Sequence, residues 1–223
     1  MHIADLLIRK EKKNQMNEIF KAMSLCHCTK TKIDKSKQNV SMYFNYEDKF
    51  LIDFAKNYEH EFEALLISDS LTAMTAKING KLHNFPIIGV NEFHKKRNRF
   101  SIVLLDRENN NYILYLKGRD ESMIDLFSLE ELKKKKLKLI LETAKTNGMH
   151  TVFYGKKYLN EREAENYFQK YNILKTSLTT NENDYETFYN EIERNSVLLA
   201  VVCLEDKIKK GFFVNMSIFH NIF

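Results

Sequence analysis

A chain of 223 residues with 43% hydrophobic side chains is long enough to bury one sizeable core, and too short for more than two small ones. Its 35 Lys and Arg against 30 Asp and Glu leave a formal charge of +5, too mild a surplus to imply a nucleic-acid partner. No run nears the roughly 18 apolar residues of a membrane span, residues 3–8 are too short and too acidic at Asp5 for a signal peptide, and three cysteines make no disulfide framework. A chain that does not itself cross a membrane, in a reducing cytosolic setting, is therefore expected.

Residues 11–25 place Met16, Ile19, Phe20 and Met23 on one helical face, which predicts a short amphipathic helix. It runs into Cys26-His27-Cys28. Zinc needs four ligands, and the further partners at the usual paired spacing are absent, so no zinc site is expected there. Residues 29–38 are polar and lysine-rich and read as a mobile loop. The segment 43–62 follows, with Phe50, Leu51, Phe54 and Ala55 on a helical stripe and Glu47-Asp48 at its start, where acids suit the helix dipole.

Residues 64–68 and 71–77 look like strands. Asn79-Gly80 is a strong hairpin turn, and 81–90 forms the returning strand. In 128–147, Ser128 with Glu131 suggests a capping box, and Leu132, Leu137, Leu139, Ile140 and Ala144 supply apolar positions. Its four consecutive lysines read as a solvated shoulder, and Gly148 ends the helix. Two more helices are expected over 158–171 and 183–194, then a strand over 196–204 that is apolar throughout and so buried on both faces.

The stretch 92–120, EFHKKRNRFSIVLLDRENNNYILYLKGRD, organises the rest. Two strand-like runs, 99–105 and 112–117, flank a polar turn and predict an antiparallel hairpin. Phe93 precedes the basic cluster Lys95, Lys96, Arg97 and Arg99, and the second strand ends in Lys117-Gly118. An aromatic face, cations and a bare glycine on neighbouring strands are what an adenine nucleotide would need. The same residues would also suit an ordinary amphipathic hairpin with a solvated basic face.

In order and spacing, Glu92-Phe93, then Arg97-Asn98-Arg99-Phe100-Ser101-Ile102, then Lys117-Gly118-Arg119-Asp120 resemble the nucleotide-binding domain of P-type ATPases. The nearest pattern is EF…RKRMSV…KGAD of type IV, the phospholipid flippases. The resemblance extends over roughly 11–211. It takes in Leu25-Cys26-His27 as the end of the first helix, Asn45-Tyr46-Glu47-Asp48 in place of SPDE, Gly148-Met149-His150-Thr151-Val152 in place of GLRTL, and Leu204-Glu205-Asp206-Lys207-Ile208 in place of IEDKL. Residues 212–223 fall outside it and form an unassigned tail.

The resemblance implies an α+β fold: a single nucleotide-binding-type domain over 1–211, built on a twisted antiparallel sheet of about six or seven strands flanked by helices. It implies that Phe93 stacks on adenine, Lys117 lies against the nucleotide, Gly118 gives the ring room beside the strand, Asp48 takes the place of the acid that contacts the base, and His150 takes the place of a phosphate-directed arginine. Asp48 also suits a plain helix start, and His150 a plain surface position. Histidine cannot form the bidentate fork of arginine, and losing such a contact costs on the order of 1–3 kcal/mol. With Arg119 standing for alanine and SPDE altered, ATP is expected as a weakly held ligand. The DKTGT, TGD and GDGxND motifs that attack phosphate and hold magnesium are not in this sequence, so magnesium would enter only through neighbouring domains. Those partners would be the actuator, phosphorylation and transmembrane domains of one parent chain, on the cytoplasmic side of a membrane. Two parents suit this: a working flippase, and the flippase-like half of the large guanylyl cyclases of apicomplexan parasites, which the Lys- and Asn-rich loops also fit. A scaffold without a ligand is the third reading.

Overall fold

Alternation along two strands decides the architecture. In Arg99–Asp106, Ile102 and Leu104 belong to one hydrophobic cluster and Val103 to another. In Asn111–Gly118, Ile113 and Tyr115 join the first cluster, Leu114 and Leu116 the second. Strands buried on both faces must lie inside a sheet that is covered on both sides. The computed structural model, which describes residues 3–28, 30–34, 39–43, 45–67, 72–119, 121–177, 179, 181–205 and 216–219, has that form.

Helix α1 (Ile3–Leu25) leads to the paired strands β1 (Lys30–Asp34) and β2 (Asn39–Tyr43), then to α2 (Tyr46–Lys56). An antiparallel meander follows: β3 (His60–Ile67), β4 (Thr72–Ile78), β5 (Lys81–His94), β6 (Arg99–Asp106) and β7 (Asn111–Gly118). A 3-10 turn (Glu121–Leu126) and α3 (Glu131–Thr146) connect β7 to β8 (Met149–Leu159). Helices α4 (Glu161–Thr176) and α5 (Glu182–Glu193) connect β8 to β9 (Val197–Glu205), and β10 (Met216–Phe219) ends the sheet. The eight strands lie in the order β10-β9-β8-β7-β6-β5-β4-β3, each antiparallel to its neighbours. Seven of them, β3 to β9, fall where the sequence predicts the sheet; β10 lies in the tail it leaves unassigned.

The first cluster joins the sheet to α1 and α2 through Ile19, Phe20, Met23, Leu51 and Ala55. The second joins it to α3, α4 and α5 through Leu137, Leu141, Tyr167, Phe188 and Tyr189. The predicted turn between β4 and β5 is present: Asn79 and Gly80 have φ of 50° and 79°, the paired left-handed residues of a two-residue hairpin. Among the described residues no helix is long and apolar enough to cross a membrane.

Six local expectations need correction. The helical stripe in 43–62 ends at Lys56; the turn that follows carries Glu59 at φ 63°, and His60 and Phe62, both buried on one side of β3, take up the alternation of a strand. The polar stretch 29–38 contributes β1, because its backbone pairs with β2 whatever its lysine content. Helix α1 begins well before residue 11. Ser128 and Glu131 form no capping box: Phe127 is bridged to Ser196 and the Ser128 N–H donates to the Ser196 carbonyl at 3.2 Å, so the chain stays extended until Glu130, which caps α3 without a side-chain bond. In α3 only Leu137, Leu141 and Ala144 are buried, while Leu132 and Leu139 face outward beside the lysines. The fourth helix starts later than 158 because β8 continues to Leu159, buried in the second cluster, before Asn160 and Glu163 form a complete capping box.

Candidate functional site

The N-terminus of α2 meets the ends of β6 and β7 on the α1–α2 face of the sheet. Asn45 caps the helix. Its Oδ1 accepts the Asp48 N–H at 2.6 Å, and its Nδ2 donates to Asp48 Oδ2 at 3.0 Å. The Cys28 N–H donates to the same carboxylate oxygen at 3.1 Å. The other oxygen, Oδ1, accepts a hydrogen bond from Lys117 Nζ. Asp48 thus sits 2% exposed with both oxygens engaged.

Lys117 reaches this point because side chains alternate along β7: Ile113 and Tyr115 face α1 and α2, and so does residue 117. Its side chain is 10% exposed, and its ammonium also lies 3.3 Å from Glu47 Oε1, while Glu47 Oε2 accepts a hydrogen bond from Arg119. Burial opposes the charge of Lys117, but Asp48 and Glu47 outweigh it and hold its pKa above the ordinary lysine value. Burial would likewise raise the Glu47 carboxyl, yet Lys117 and Arg119 hold it below the ordinary carboxylate value. Two acids and two bases therefore form one cluster of ion pairs.

Phe93 faces this cluster from β5. The strand loses register with β6 between Asn91 and His94, and Phe93 lies within that bulge, half exposed. The turn behind it closes when the Asn98 N–H donates to the His94 carbonyl at 2.8 Å, and the Arg119 N–H donates to the Asn98 carbonyl at 3.0 Å. Phe93, Lys117, Gly118, Asp48, Glu47 and Arg119 line one cleft of about 510 Å³, completed by Cys28, Asn45, Tyr46, Asn98, Phe100 and Val152. Gly118 offers its backbone to the wall. A Cβ there would point through the sheet, 2.6 Å from both Arg99 Cβ and Met123 Sδ, so packing on the far face also demands glycine.

Four of the five predicted residues, Asp48, Phe93, Lys117 and Gly118, are thus brought together. His150 is not. It is exposed on β8, two positions from the cleft-lining Val152 on the same face, roughly 7 Å along the strand. The basic run before β6 also divides. Lys95 and Lys96 are exposed in the turn, whereas Arg97 and Arg99 are buried and bind Glu193 of α5. A cluster read as nucleotide-facing is therefore partly a structural anchor. Sequence reasoning left out Glu47 and Arg119 as site residues. The spacing of Arg119, two residues after Lys117 and just past the end of β7, is the available signal.

At the back of the cleft, Cys28 is held as a thiol, raised chiefly by burial and then by Asp48. His27 is 2% exposed and sets its ring edge-on to Phe62, centroids 4.5 Å apart. Burial, then Lys117, lowers its pKa to about 3. A histidine neutral in the fold and near 6.5 when unfolded stabilises above the unfolded value, and that contribution is lost as pH falls through the window between 6.5 and about 3. Wild-type stability should thus drop by about 2 kcal/mol between pH 7 and 5 from this residue alone, and His60, lowered by burial, adds in the same direction. Urea titrations at the two pH values check this. In His27→Leu the drop should shrink by most of that amount; an equal drop would show that His27 is not its source.

The chain matches the family model described as P-type ATPase, cytoplasmic domain N, over residues 15–211. It is 24% identical to phospholipid-transporting ATPase DNF2 of Saccharomyces cerevisiae over 201 residues, which cover 85% of this chain and 12% of that protein. It is 24% identical to human phospholipid-transporting ATPase ID over 200 residues, 87% of this chain and 16% of the relative. To phospholipid-transporting ATPase 1 of Arabidopsis thaliana it is 22% identical over 208 residues, 90% of this chain and 17% of the relative. The chain thus spans less than a fifth of the length of these curated relatives. With a single family model covering most of the sequence, and an antiparallel sheet carrying the aromatic, lysine and glycine on one cleft, the chain belongs to the P-type ATPase cytoplasmic domain N family.

Proposed function

We propose that this chain is the ATP-holding unit of a phospholipid-translocating P-type ATPase-like membrane protein. It takes ATP weakly into the cleft between Phe93 and Lys117 and presents the phosphates to a separate phosphorylation domain on the cytoplasmic side of the membrane. One observation carries this reading: Phe93, Lys117, Gly118 and Asp48, drawn from three separate parts of the chain, line the same cleft. The names of the relatives, all phospholipid-transporting ATPases, support the same parent.

In this reading the base enters against the exposed Phe93 ring, and Lys117 supplies positive charge beside it. Stacking on an aromatic contributes roughly 1–3 kcal/mol, so Phe93→Ala should weaken ATP about 5- to 150-fold. His150→Ala, outside the cleft, should do less. Magnesium should change affinity little, because both cleft carboxylates are already committed to Lys117 and Arg119. A titration with ATP followed by amide NMR tests the reading. Shifts at Phe93 and Lys117 are expected in the millimolar range. If millimolar ATP moves neither, the nucleotide reading falls, and a regulatory domain of the guanylyl cyclase type replaces it.

A further inference from the structure

Of the described residues that line the cleft, the cations are Lys117 and Arg119, and they are not equivalent. The Lys117 side chain is 10% exposed and held by two carboxylates, one of them the buried Asp48. The Arg119 side chain is 47% exposed, and Glu47 holds it at the mouth. Lys117 on β7 and Arg119 just past its end both reach Glu47 of α2, with Gly118 between them turned to the other face. A ligand that fills the cleft therefore meets the ammonium inside and the guanidinium on the way out.

Resting on the nucleotide reading above, we infer that Arg119 directs the phosphates of a bound nucleoside di- or triphosphate, and that Glu47 is its built-in competitor. The cluster is neutral before the ligand arrives, with Glu47 and Asp48 balancing Lys117 and Arg119. A polyphosphate brings negative charge against Glu47, whose carboxyl Lys117 and Arg119 hold in the ionised form. Lys117 remains paired with Asp48 if it gives up Glu47. Arg119, in the more open position, can turn its planar fork from a carboxylate to a phosphate, two acceptors of matching geometry. The Arg119–Glu47 pair is exchanged for an Arg119–phosphate pair, and Lys117 keeps Asp48 whether or not Glu47 stays beside it. The exchange makes ATP affinity a difference between two contacts of Arg119, so the resident carboxylate keeps binding weak. Adenosine, with no phosphates, leaves the exchange untouched.

The test titrates ATP, ADP, adenosine and inorganic tripolyphosphate into wild type, Arg119→Ala, Arg119→Lys and Glu47→Gln by amide NMR, with dispersed spectra confirming that each variant folds. Arg119→Ala should weaken ATP about 5- to 20-fold and leave adenosine within twofold, a loss the size of one charge-assisted bond less the pair it replaces. Arg119→Lys should fall between, since a point charge survives without the fork. Glu47→Gln should tighten ATP severalfold. Added salt should weaken ATP less in Arg119→Ala than in wild type. An Arg119→Ala protein that keeps the wild-type ratio of ATP to adenosine affinity overturns the proposal and leaves the nucleotide reading standing. So does a Glu47→Gln protein that binds ATP more weakly. Tripolyphosphate that binds as tightly as ATP would instead overturn the nucleotide reading, since phosphates would then be held without the base, and this inference with it. If neither ATP nor adenosine shifts any amide of the wild type, the nucleotide reading fails and this inference with it.

Discussion

Glu193→Ala should cost about 3–5 kcal/mol of folding stability, because it strands two buried arginines. Glu193 is fully buried at the end of α5, across the sheet from the cleft. Its Oε1 accepts from Arg97 Nη2 and, at 2.6 Å, from Ser101 Oγ; its Oε2 accepts from Arg99 Nε at 2.6 Å. The network continues. Arg99 also donates to Asn190 Oδ1 and to the Arg97 carbonyl at 3.1 Å. Asn91 Nδ2 donates to Ser101 Oγ at 2.8 Å, and the Tyr167 hydroxyl donates to Asn91 Oδ1 at 2.7 Å. Burial already holds the Arg97 guanidinium below its ordinary value, although Glu193 opposes this. Without the carboxylate, two like charges would share an apolar space with only neutral partners.

Glu193→Gln keeps the shape and some acceptor capacity but not the charge, so it should lose less than the alanine. Replacing Glu193, Arg97 and Arg99 together by methionine should recover most of the loss, since the desolvation of all three charges disappears with them. Equilibrium urea unfolding measures each variant. A loss below about 1 kcal/mol for Glu193→Ala would show that the arginines reach water. The alanine should also shift the amide of Phe93, because Arg97 Nη1 donates to the Glu92 carbonyl at 3.4 Å within the same bulge. The hairpin that carries the stacking ring is thus anchored from the opposite face of the sheet.

That anchor shows where the sequence was legible and where it was not. The apolar strand-like runs of β6 and β7, the Asn79-Gly80 turn and the helical stripes of α1 and α2 are local patterns, and each produced the expected element. Phe93, Lys117, Gly118 and Asp48 could be grouped because a family pattern tied together positions distant in the chain. Arg97 and Arg99 were misread because a basic run looks the same whether it faces a ligand or a buried acid 94 to 96 residues away. The partner, Glu193, lies in a helix whose sequence is mostly acids and aromatics, with nothing to single out one acid as buried. Leu132 and Leu139 were misassigned for a related reason: α3 carries more leucines than its single contact face can bury, and periodicity alone does not choose among them. Charge pairing and helix orientation are tertiary facts, decided by what lies opposite.

Lys117→Met should cost about 3–5 kcal/mol as well, from the other side of the same sheet. The loss comes from Asp48, which would stay buried with, among the described residues, the Asn45 amide and the Cys28 N–H as donors to its side chain. Asp48→Asn alone should cost less, since Glu47 still lies 3.3 Å from the ammonium and an amide can still accept from Cys28. The double variant should be more stable than Lys117→Met, because the uncompensated charge is gone; the gain over additivity measures the pair. The pH dependence has a definite sign. Lys117 has a raised value in the fold, so its contribution is complete below the unfolded value of 10.5 and fades only as pH rises through the folded one. Glu47 has a lowered value, so its contribution is complete above the unfolded 4.5 and fades as pH falls through the folded one. Between those limits Lys117 and Glu47 are both charged, and urea unfolding at pH 7 reads their whole contribution. Additive losses in the double variant would mean that Lys117 and Asp48 do not share an ion pair. If the coupling is found, a lysine that a nucleotide would meet is first of all a buried counter-ion that the fold requires. Its loss would then reduce ATP binding and stability together, whereas Phe93→Ala, at a half-exposed ring, should reduce binding and leave stability nearly unchanged.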